Sequence, residues 1–382
     1  MLRGCLSVAH VTEAFAGGVT TYMTLVLPQL AARGHDVTLY CCNSRDERRF
    51  ANAIETISKA GVKIKTLPMR RSFHLWADAS AVFHLCRELK SSRYDLVHTH
   101  GTKAGLLGRL AARLGGVPAV HTPHCYAFLR AETRAKSLFI RMAERVMSGS
   151  TSGLIAVSES ERQTAIKHGL VDSLRCTVVS NGMPIIDDAP DRILVRKTLG
   201  LPQSSFVVTM ATRLVDYKGI ELFLDVATLC RDMDVVFTIA GSGELEDWAM
   251  NHVASRNLSN QVRVLGHVMD VPSLLGGSDL CVLCSKAEGQ PYTLLEAMRG
   301  GCPIVATAVP GITDMLENGK TAILVTRDVQ QIATAIRQLA GDEAMRKSLS
   351  AQARDRFLAA HLLERQADAL VEAYERFSRI HK

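Results

Sequence analysis

The stretch DLCVLCSKAEGQPYTLLEAMRGGCPIVAT, residues 279–307, carries the pattern on which the fold turns. It opens with an apolar run, crosses a polar loop broken by Gly-Gln-Pro, enters a segment of helical period at Tyr292, and returns through Gly-Gly to the β-branched run PIVAT. Strand, loop, helix and strand make a βαβ unit, and a βαβ unit implies a parallel sheet. The same alternation extends in both directions. Runs such as LSVAH, DVTLY, DLVHTH and AVHT punctuate the first half, and FVVTMAT, VVFTIAGSG and VRVLGH the second, with helical segments such as VTTYMTLVLPQLAARG between them. Residues 182–205 interrupt the alternation with polar, acidic and proline-containing sequence, which reads as a linker with its hinge near 182–192. A chain of 382 residues is too long for one core, so two α/β domains are expected, at 1–185 and 186–363. Residues 364–382 have helical period with no strand after them and read as a terminal helix.

Composition places the chain among ordinary globular proteins, with 47% hydrophobic and 22% charged residues. No apolar run reaches the roughly 18 residues of a membrane span, and the opening MLRGCLSVAH is too short for a signal peptide, so a cytoplasmic location is expected. Ten cysteines without a paired framework agree with a reducing compartment. Cys281 and Cys284 form a C-x-x-C inside an apolar run and read as buried strand residues rather than a zinc or redox pair. Charge is unevenly divided: residues 1–190 hold 24 Lys and Arg against 15 Asp and Glu, a net of +9, and the remainder 21 against 23, a net of −2. A basic half suits anionic partners, or a solvated surface. Two of its segments, around residues 65–90 and 128–147, mix Arg and Lys with Trp, Phe and Leu at helical period. That pattern fits peripheral contact with an anionic membrane, and equally helices packed on a sheet. No nucleic-acid motif accompanies the positive charge.

Open parallel sheets bind ligands beyond the carboxyl ends of their strands, and in a two-domain chain the cleft between two such edges is the expected site. After the first strand, Gly17 and Gly18 open a helix whose free N–H groups suit phosphate, although a tight turn explains the same pair; the dinucleotide fingerprint G-x-G-x-x-G is absent. After FVVTMAT, Arg213 and Lys218 stand just before a helix beginning near Gly219, where two cations can hold a diphosphate. In residues 284–300, Glu288 stands in the loop and Glu296 in the first turns of the helix that follows Pro291. Carboxylates repel phosphate, so two of them beside a phosphate-binding helix start make sense when each accepts from hydroxyls on either side of a diphosphate. That describes a nucleotide sugar.

These segments together resemble the family 4 glycosyltransferases, retaining enzymes of the GT-B fold with two Rossmann-like doubly wound domains facing each other across a cleft. The resemblance spans nearly the whole chain and is carried by GGVTTYMTLVLPQLAARGHDVTLY, YDLVHTHGTKAGLLGRLAA, AVHTPHCYAF, LIAVSESERQTAI, VVSNGM, TRLVDYKGIELFLDVA, FTIAGSGELED and SKAEGQPYTLLEAMRGGCPIVATAVPGITDML, the last holding an E-x7-E signature. It implies that Glu288 binds donor-sugar hydroxyls, that Gly289, Gln290, Pro291, Tyr292 and Thr293 offer backbone groups to sugar and diphosphate, and that Glu296 binds ribose. It further implies that Arg213 and Lys218 hold the diphosphate, that Gly17 and Gly18 form the N-terminal phosphate loop, and that the terminal helix crosses back onto the first domain. His124 matches a histidine lying near the donor sugar, followed here by Cys125 where the family has glycine. His98, His100 and His121 lack metal-like spacing.

The implied activity is hexosyl transfer from a nucleoside-diphosphate sugar, UDP- or GDP-linked, to a glycan or lipid-linked acceptor, in polysaccharide or glycoconjugate biosynthesis. Leaving-group charge is stabilised by Arg213, Lys218 and helix N-termini, with no metal and no cofactor expected. The one D-x-D, Asp232-Met233-Asp234, precedes a strand and fits a turn. Front-face attack by the acceptor hydroxyl is favoured over a glutamate nucleophile, with the leaving phosphate taking the proton. A nucleotide-sugar epimerase, a phosphorylase and a non-catalytic nucleotide-binding or nucleic-acid-binding protein are the alternatives.

Overall fold

The computed structural model describes residues 4–13, 17–42, 47–70, 72–186 and 191–379. The chain divides into two compact units, Met1–Gly182 with Leu363–Lys382, and Met183–Leu362.

The first unit runs β1 (Ser7–Thr12), α1 (Gly18–Ala32), β2 (Asp36–Cys41), α2 (Glu47–Lys59), β3 (Lys63–Thr66), α3 (Leu75–Ser91), β4 (Leu96–His100), α4 (Thr102–Gly115), β5 (Ala119–Thr122), α5 (Arg134–Ser148), β6 (Gly153–Ala156), α6 (Glu159–Lys167) and β7 (Cys176–Val178). Its strands form one seven-stranded sheet in the order β3-β2-β1-β4-β5-β6-β7. Every pairing is parallel. The central strands are buried along nearly their whole length, as a sheet covered on both faces requires. Their buried residues are not all apolar, and His10, His98, His100 and His121 lie among them at 0–1% exposure. The last helix, α15 (Leu363–Ser378), belongs to this unit. Its Phe377 ring lies so close to β6 that a side chain at Gly153 would meet it at 2.4 Å, so only glycine admits the contact.

The second unit runs α7 (Arg192–Thr198), β8 (Phe206–Ala211), α8 (Ile220–Leu229), β9 (Val235–Ala240), α9 (Glu246–Ser255), β10 (Val262–Gly266), α10 (Val271–Gly276), β11 (Leu280–Leu283), α11 (Tyr292–Gly300), β12 (Ile304–Thr307), α12 (Ile312–Met315), β13 (Ile323–Val325), α13 (Val329–Gly341) and α14 (Glu343–Ala360). Six parallel strands order as β10-β9-β8-β11-β12-β13. Phe223 of α8 and Phe237 of β9 meet edge-on, centroids 5.4 Å apart, inside a core that includes Ile336 and Leu339 of α13.

The linker reading of residues 182–205 is corrected in its second half. Residues 192–198 form α7, capped by Asp191, whose carboxylate accepts from the Ile193 and Leu194 N–H groups. Arg196 on that helix is fully buried: its guanidinium donates to the Gly277, Pro202, Gln203 and Ser205 carbonyls and pairs with Asp279 at 2.6 Å. Composition alone marks this stretch as polar; one arginine satisfying five acceptors makes it part of the second unit's body. Residues 187–190 of the expected hinge lie outside the described residues.

Candidate active site

Each sheet reverses its winding once, between β1 and β4 in the first unit and between β8 and β11 in the second. Ligands of doubly wound folds bind outside the carboxyl ends of the strands at such points. In the second unit the loop leaving β8 carries Arg213 and Lys218, and the loop leaving β11 carries Glu288 to Pro291 ahead of Tyr292 and Thr293 on α11, so the strand order itself sets the two loops side by side.

Lys218 Nζ lies 2.5 Å from Glu288 Oε1, with the side chains 14% and 7% exposed. Ser285 Oγ donates to the same oxygen at 2.6 Å. Arg213 reaches the Tyr217 hydroxyl at 3.4 Å. Lys286 pairs with Asp216 at 2.6 Å, and its N–H donates to the Tyr217 carbonyl, tying the two loops together. Gly219, at φ 78°, caps α8; a side chain there would meet the Cys284 carbonyl at 2.3 Å, so the Lys218 turn sits directly on the end of β11. Pro291 precedes the first residue of α11 and supplies no side-chain cap, and the Thr293 hydroxyl donates to the Ala211 carbonyl at 2.9 Å, pinning the helix start to the end of β8. Gly289, Gln290 and Tyr292 are buried, and Glu296 stands half-buried on α11. Ser285 is a contact that sequence reasoning missed, although it sits three residues before Glu288 in the quoted loop.

Cys281 and Cys284 are buried in and after β11, and burial pushes the Cys284 thiol up to about 12, so neither is a thiolate. Asp232 of the D-x-D precedes β9 and is held bidentately by Arg337 at 2.6 and 2.7 Å.

In the first unit Gly17 has φ 60° and caps α1, which begins at Gly18. The start of α4 is occupied by Glu13, whose carboxylate accepts from the Ala104 N–H at 2.7 Å. Lys103 is buried, donating to the Arg70 and Ser72 carbonyls and pairing with Asp78 at 2.5 Å. After β5, His124 and Cys125 both take positive φ, 51° and 76°. Glycine is the residue that tolerates such a backbone, so the Cys125 departure keeps the left-handed turn at the expense of strain. Glu161 holds it: one carboxylate oxygen accepts from the Cys125 N–H at 2.6 Å and the other from Val157 N–H at 2.9 Å. Burial raises that carboxyl to about 7 against the opposing pull of the two N–H groups. Glu161 is a supporting residue that sequence reasoning missed; its only signal is its place three residues after the helix-capping Ser158.

Histidines without metal-like spacing in the sequence are nevertheless brought together by strand pairing. Register places His10 of β1 opposite His98 of β4, and the nitrogens of His10, His98 and His100 lie within 4.8 Å of one another. Strand pairing makes the cluster, and no local spacing announces it. Desolvation lowers His10 to about 3 and His98 and His100 well below the ordinary histidine range, so the rings are neutral. His124 Nε2 lies 3.1 Å from His100 Nδ1, and burial together with Arg130 lowers its pKa to about 3.

Among known proteins, residues 17–182 match the Glycosyl transferase 4-like domain and residues 191–356 the Glycosyl transferases group 1 family. The UDP-Gal:alpha-D-GlcNAc-diphosphoundecaprenol alpha-1,3-galactosyltransferase of Escherichia coli is 32% identical over 314 residues, 80% of this chain and 81% of that protein. The D-inositol 3-phosphate glycosyltransferase of Arthrobacter sp. (strain FB24) is 28% identical over 340 residues, 81% of this chain and 78% of that one. In fold, the chain is similar to Anabaena HepE solved with UDP and glucose, at TM-score 0.82 and 20% identity over 96% of this chain and 98% of that one. Sucrose-phosphate synthase of Thermosynechococcus elongatus gives TM-score 0.83 and 18% identity over 97% and 98%. With two parallel doubly wound sheets of the GT-B type and matches across both units, the chain belongs to the glycosyltransferases of the family 4 type.

Proposed function

We propose that the chain transfers a hexose from a UDP-sugar to a hydroxyl of a lipid-linked diphosphate glycan, with retention of anomeric configuration and without a metal. The observation that carries this reading is the pairing of Lys218 with Glu288 at the winding reversal of the second sheet, flanked by Arg213 and the start of α11. An ammonium and a carboxylate 2.5 Å apart offer one group to phosphate and one to sugar hydroxyls, which is the division a nucleotide sugar needs. The UDP donor and the lipid diphosphate acceptor are supported by the substrates named for the Escherichia coli relative. On the same reading Glu296 takes the ribose, and the backbone from Gly289 to Thr293 takes sugar and diphosphate. Gly17, Gly18 and His124 of the first unit are assigned to substrate as well.

In the reaction, the bond from the anomeric carbon to the β-phosphate oxygen breaks as the acceptor oxygen forms its bond on the same face. The acceptor's proton passes to the departing phosphate. Glu288 is a poor nucleophile here, because the oxygen nearest Lys218 also accepts from Ser285. Arg213, Lys218 and the α11 start stabilise the charge on the leaving diphosphate, and Asp232, engaged by Arg337, is not a metal ligand in this scheme.

The acceptor's lipid would bring the protein to a membrane surface. Leu75 and Trp76 on α3 are each 78% exposed, and Phe139 and Val146 on α5 each 72%. Exposed Arg134 and Arg145 on α5 accompany them, a combination suited to an anionic leaflet. No helix among the described residues is long and apolar enough to cross a membrane.

Purified protein assayed against UDP-galactose, UDP-glucose, UDP-N-acetylglucosamine and GDP-mannose tests the proposal. Release of UDP that requires a lipid-diphosphate sugar acceptor, giving an α-linked product from an α-linked donor, is the expected result. Conversion of the donor sugar with no acceptor present would mean an epimerase instead.

A further inference from the structure

Six side chains, from three strands, the loop after β5 and the last helix, join into one hydrogen-bonded line that ends at His124. Thr122 Oγ1 is 2.8 Å from His98 Nε2; His98 Nδ1 is 2.6 Å from the Tyr374 hydroxyl; that hydroxyl is 3.3 Å from His10 Nε2. His10 Nδ1 is then 3.1 Å from His100 Nε2, and His100 Nδ1 3.1 Å from His124 Nε2. We propose that this buried relay fixes the tautomer of His124, with Nε2 protonated and Nδ1 a bare lone pair, so that Thr122, His98, Tyr374, His10 and His100 are positioning residues for it.

The polarity follows from a single proton. A neutral imidazole has one donor and one acceptor nitrogen, and a hydroxyl has one proton to give. Thr122 Oγ1 also lies 2.8 Å from the Ile155 carbonyl, which can only accept. Its proton therefore goes to Ile155; the reverse polarity would leave two lone-pair oxygens facing each other at 2.8 Å. His98 must then donate from Nε2 and accept at Nδ1 from Tyr374. The tyrosine oxygen, its proton used, accepts from His10 Nε2–H. His10 Nδ1 accepts from His100 Nε2–H, and His100 Nδ1 accepts from His124 Nε2–H. The line runs one way from end to end.

Two further observations agree. Burial of all four rings favours the neutral form that a one-way line requires, because an imidazolium donates from both nitrogens and would break it. And all six nitrogens of His10, His98 and His100 are spent within the line, so this cluster leaves no lone pair for a cation despite its compactness. Tyr374 lies 276 positions from His98 in the chain, so the last helix acts on the histidine loop through protons, with no contact to His124 required.

Histidine-selective 15N NMR reads the tautomer directly, with the His124 signals assigned by their loss in His124→Gln. In the wild-type protein His124 should show a protonated Nε2 and an unprotonated Nδ1. In Thr122→Val nothing accepts the His98 Nε2 proton, so the line reverses and the protonated resonance of His124 moves to Nδ1; Thr122→Ser keeps the wild-type pattern. Tyr374→Phe cuts the line, and adding Thr122→Val to it should leave His124 unchanged. A wild-type His124 protonated at Nδ1 overturns the assignment, as does a folded Thr122→Val protein that retains Nε2–H. The wild-type spectrum decides the polarity even if a variant fails to fold, and none of these readings depends on the proposed transferase activity.

Discussion

Cys125 shows how one position can be held against its own preference. At φ 76° a side chain crowds the backbone, and the Glu161 carboxylate holds the turn through the Cys125 N–H. A β-branched residue tolerates this region least. Cys125→Val should therefore lower stability by about 2 kcal/mol, while Cys125→Gly stays within about 1 kcal/mol of wild type, because relief of strain offsets the lost thiol packing. Urea unfolding of the pair checks it; equal destabilisation by both would mean that the turn is unstrained. Lys218 and Glu288 form the other decisive contact. Lys218→Ala and Glu288→Ala should each lower kcat/KM by about 100-fold or more with little change in melting temperature. A Lys218→Ala enzyme of normal turnover would remove the ammonium from the proposed mechanism. Both glutamates of this loop and helix were visible in the sequence, but the 70-residue separation between Lys218 and Glu288 hid their pairing.

At the scale of elements, α5 is the helix whose surface is hardest to explain by packing alone. Its fully buried residue is Glu144, paired with buried Arg109 at 2.6 Å, while Phe139 and Val146 point their bulk to solvent. The sequence pattern allowed either a packed helix or a membrane-facing one, since periodicity records that a face is apolar and not what covers it. Replacing Phe139 and Val146 together by Glu should lower partitioning onto vesicles containing anionic lipid by at least about tenfold, given the transfer energy of two such side chains. Flotation with anionic and with neutral vesicles separates this from general stickiness. Unchanged flotation would assign the membrane contact elsewhere or dismiss it. The turn into α7 teaches the converse: acidic, proline-bearing sequence concealed a helix because its anchor, Arg196, is polar and buried.

For the whole molecule, the histidines set the response to acid. His10, His98, His100, His121 and His124 all titrate below the ordinary histidine value, two of them at about 3, and all belong to the first unit. Between pH 6.5 and about 3 the unfolded chain therefore binds more protons than the folded one, so stability is level above about pH 7 and falls as pH drops, by up to about 1.4 kcal/mol per pH unit for each ring. Glu161, raised to about 7, works in the opposite sense between its unfolded value and 7, one group against five. Thermal melts from about pH 8 to about pH 5 should show the first unit's transition moving down below pH 6.5. A transition that stays put between about pH 7.5 and about pH 5.5 would mean the rings are not held neutral.

What the sequence determined by itself is local. Alternating apolar runs and helical periods specified parallel sheets, the loops at their carboxyl ends, and the helix after Pro291, because these depend on neighbours a few residues apart. Strand order is a different kind of information. Placing β8 beside β11 joins Lys218 to Glu288, placing β1 beside β4 sets His10 opposite His98 and stacks it on His100, and returning α15 to the first unit brings Tyr374 into the histidine line. No periodicity encodes those meetings: they are set by which buried surfaces fit, a property of the folded sheet and not of any stretch of chain.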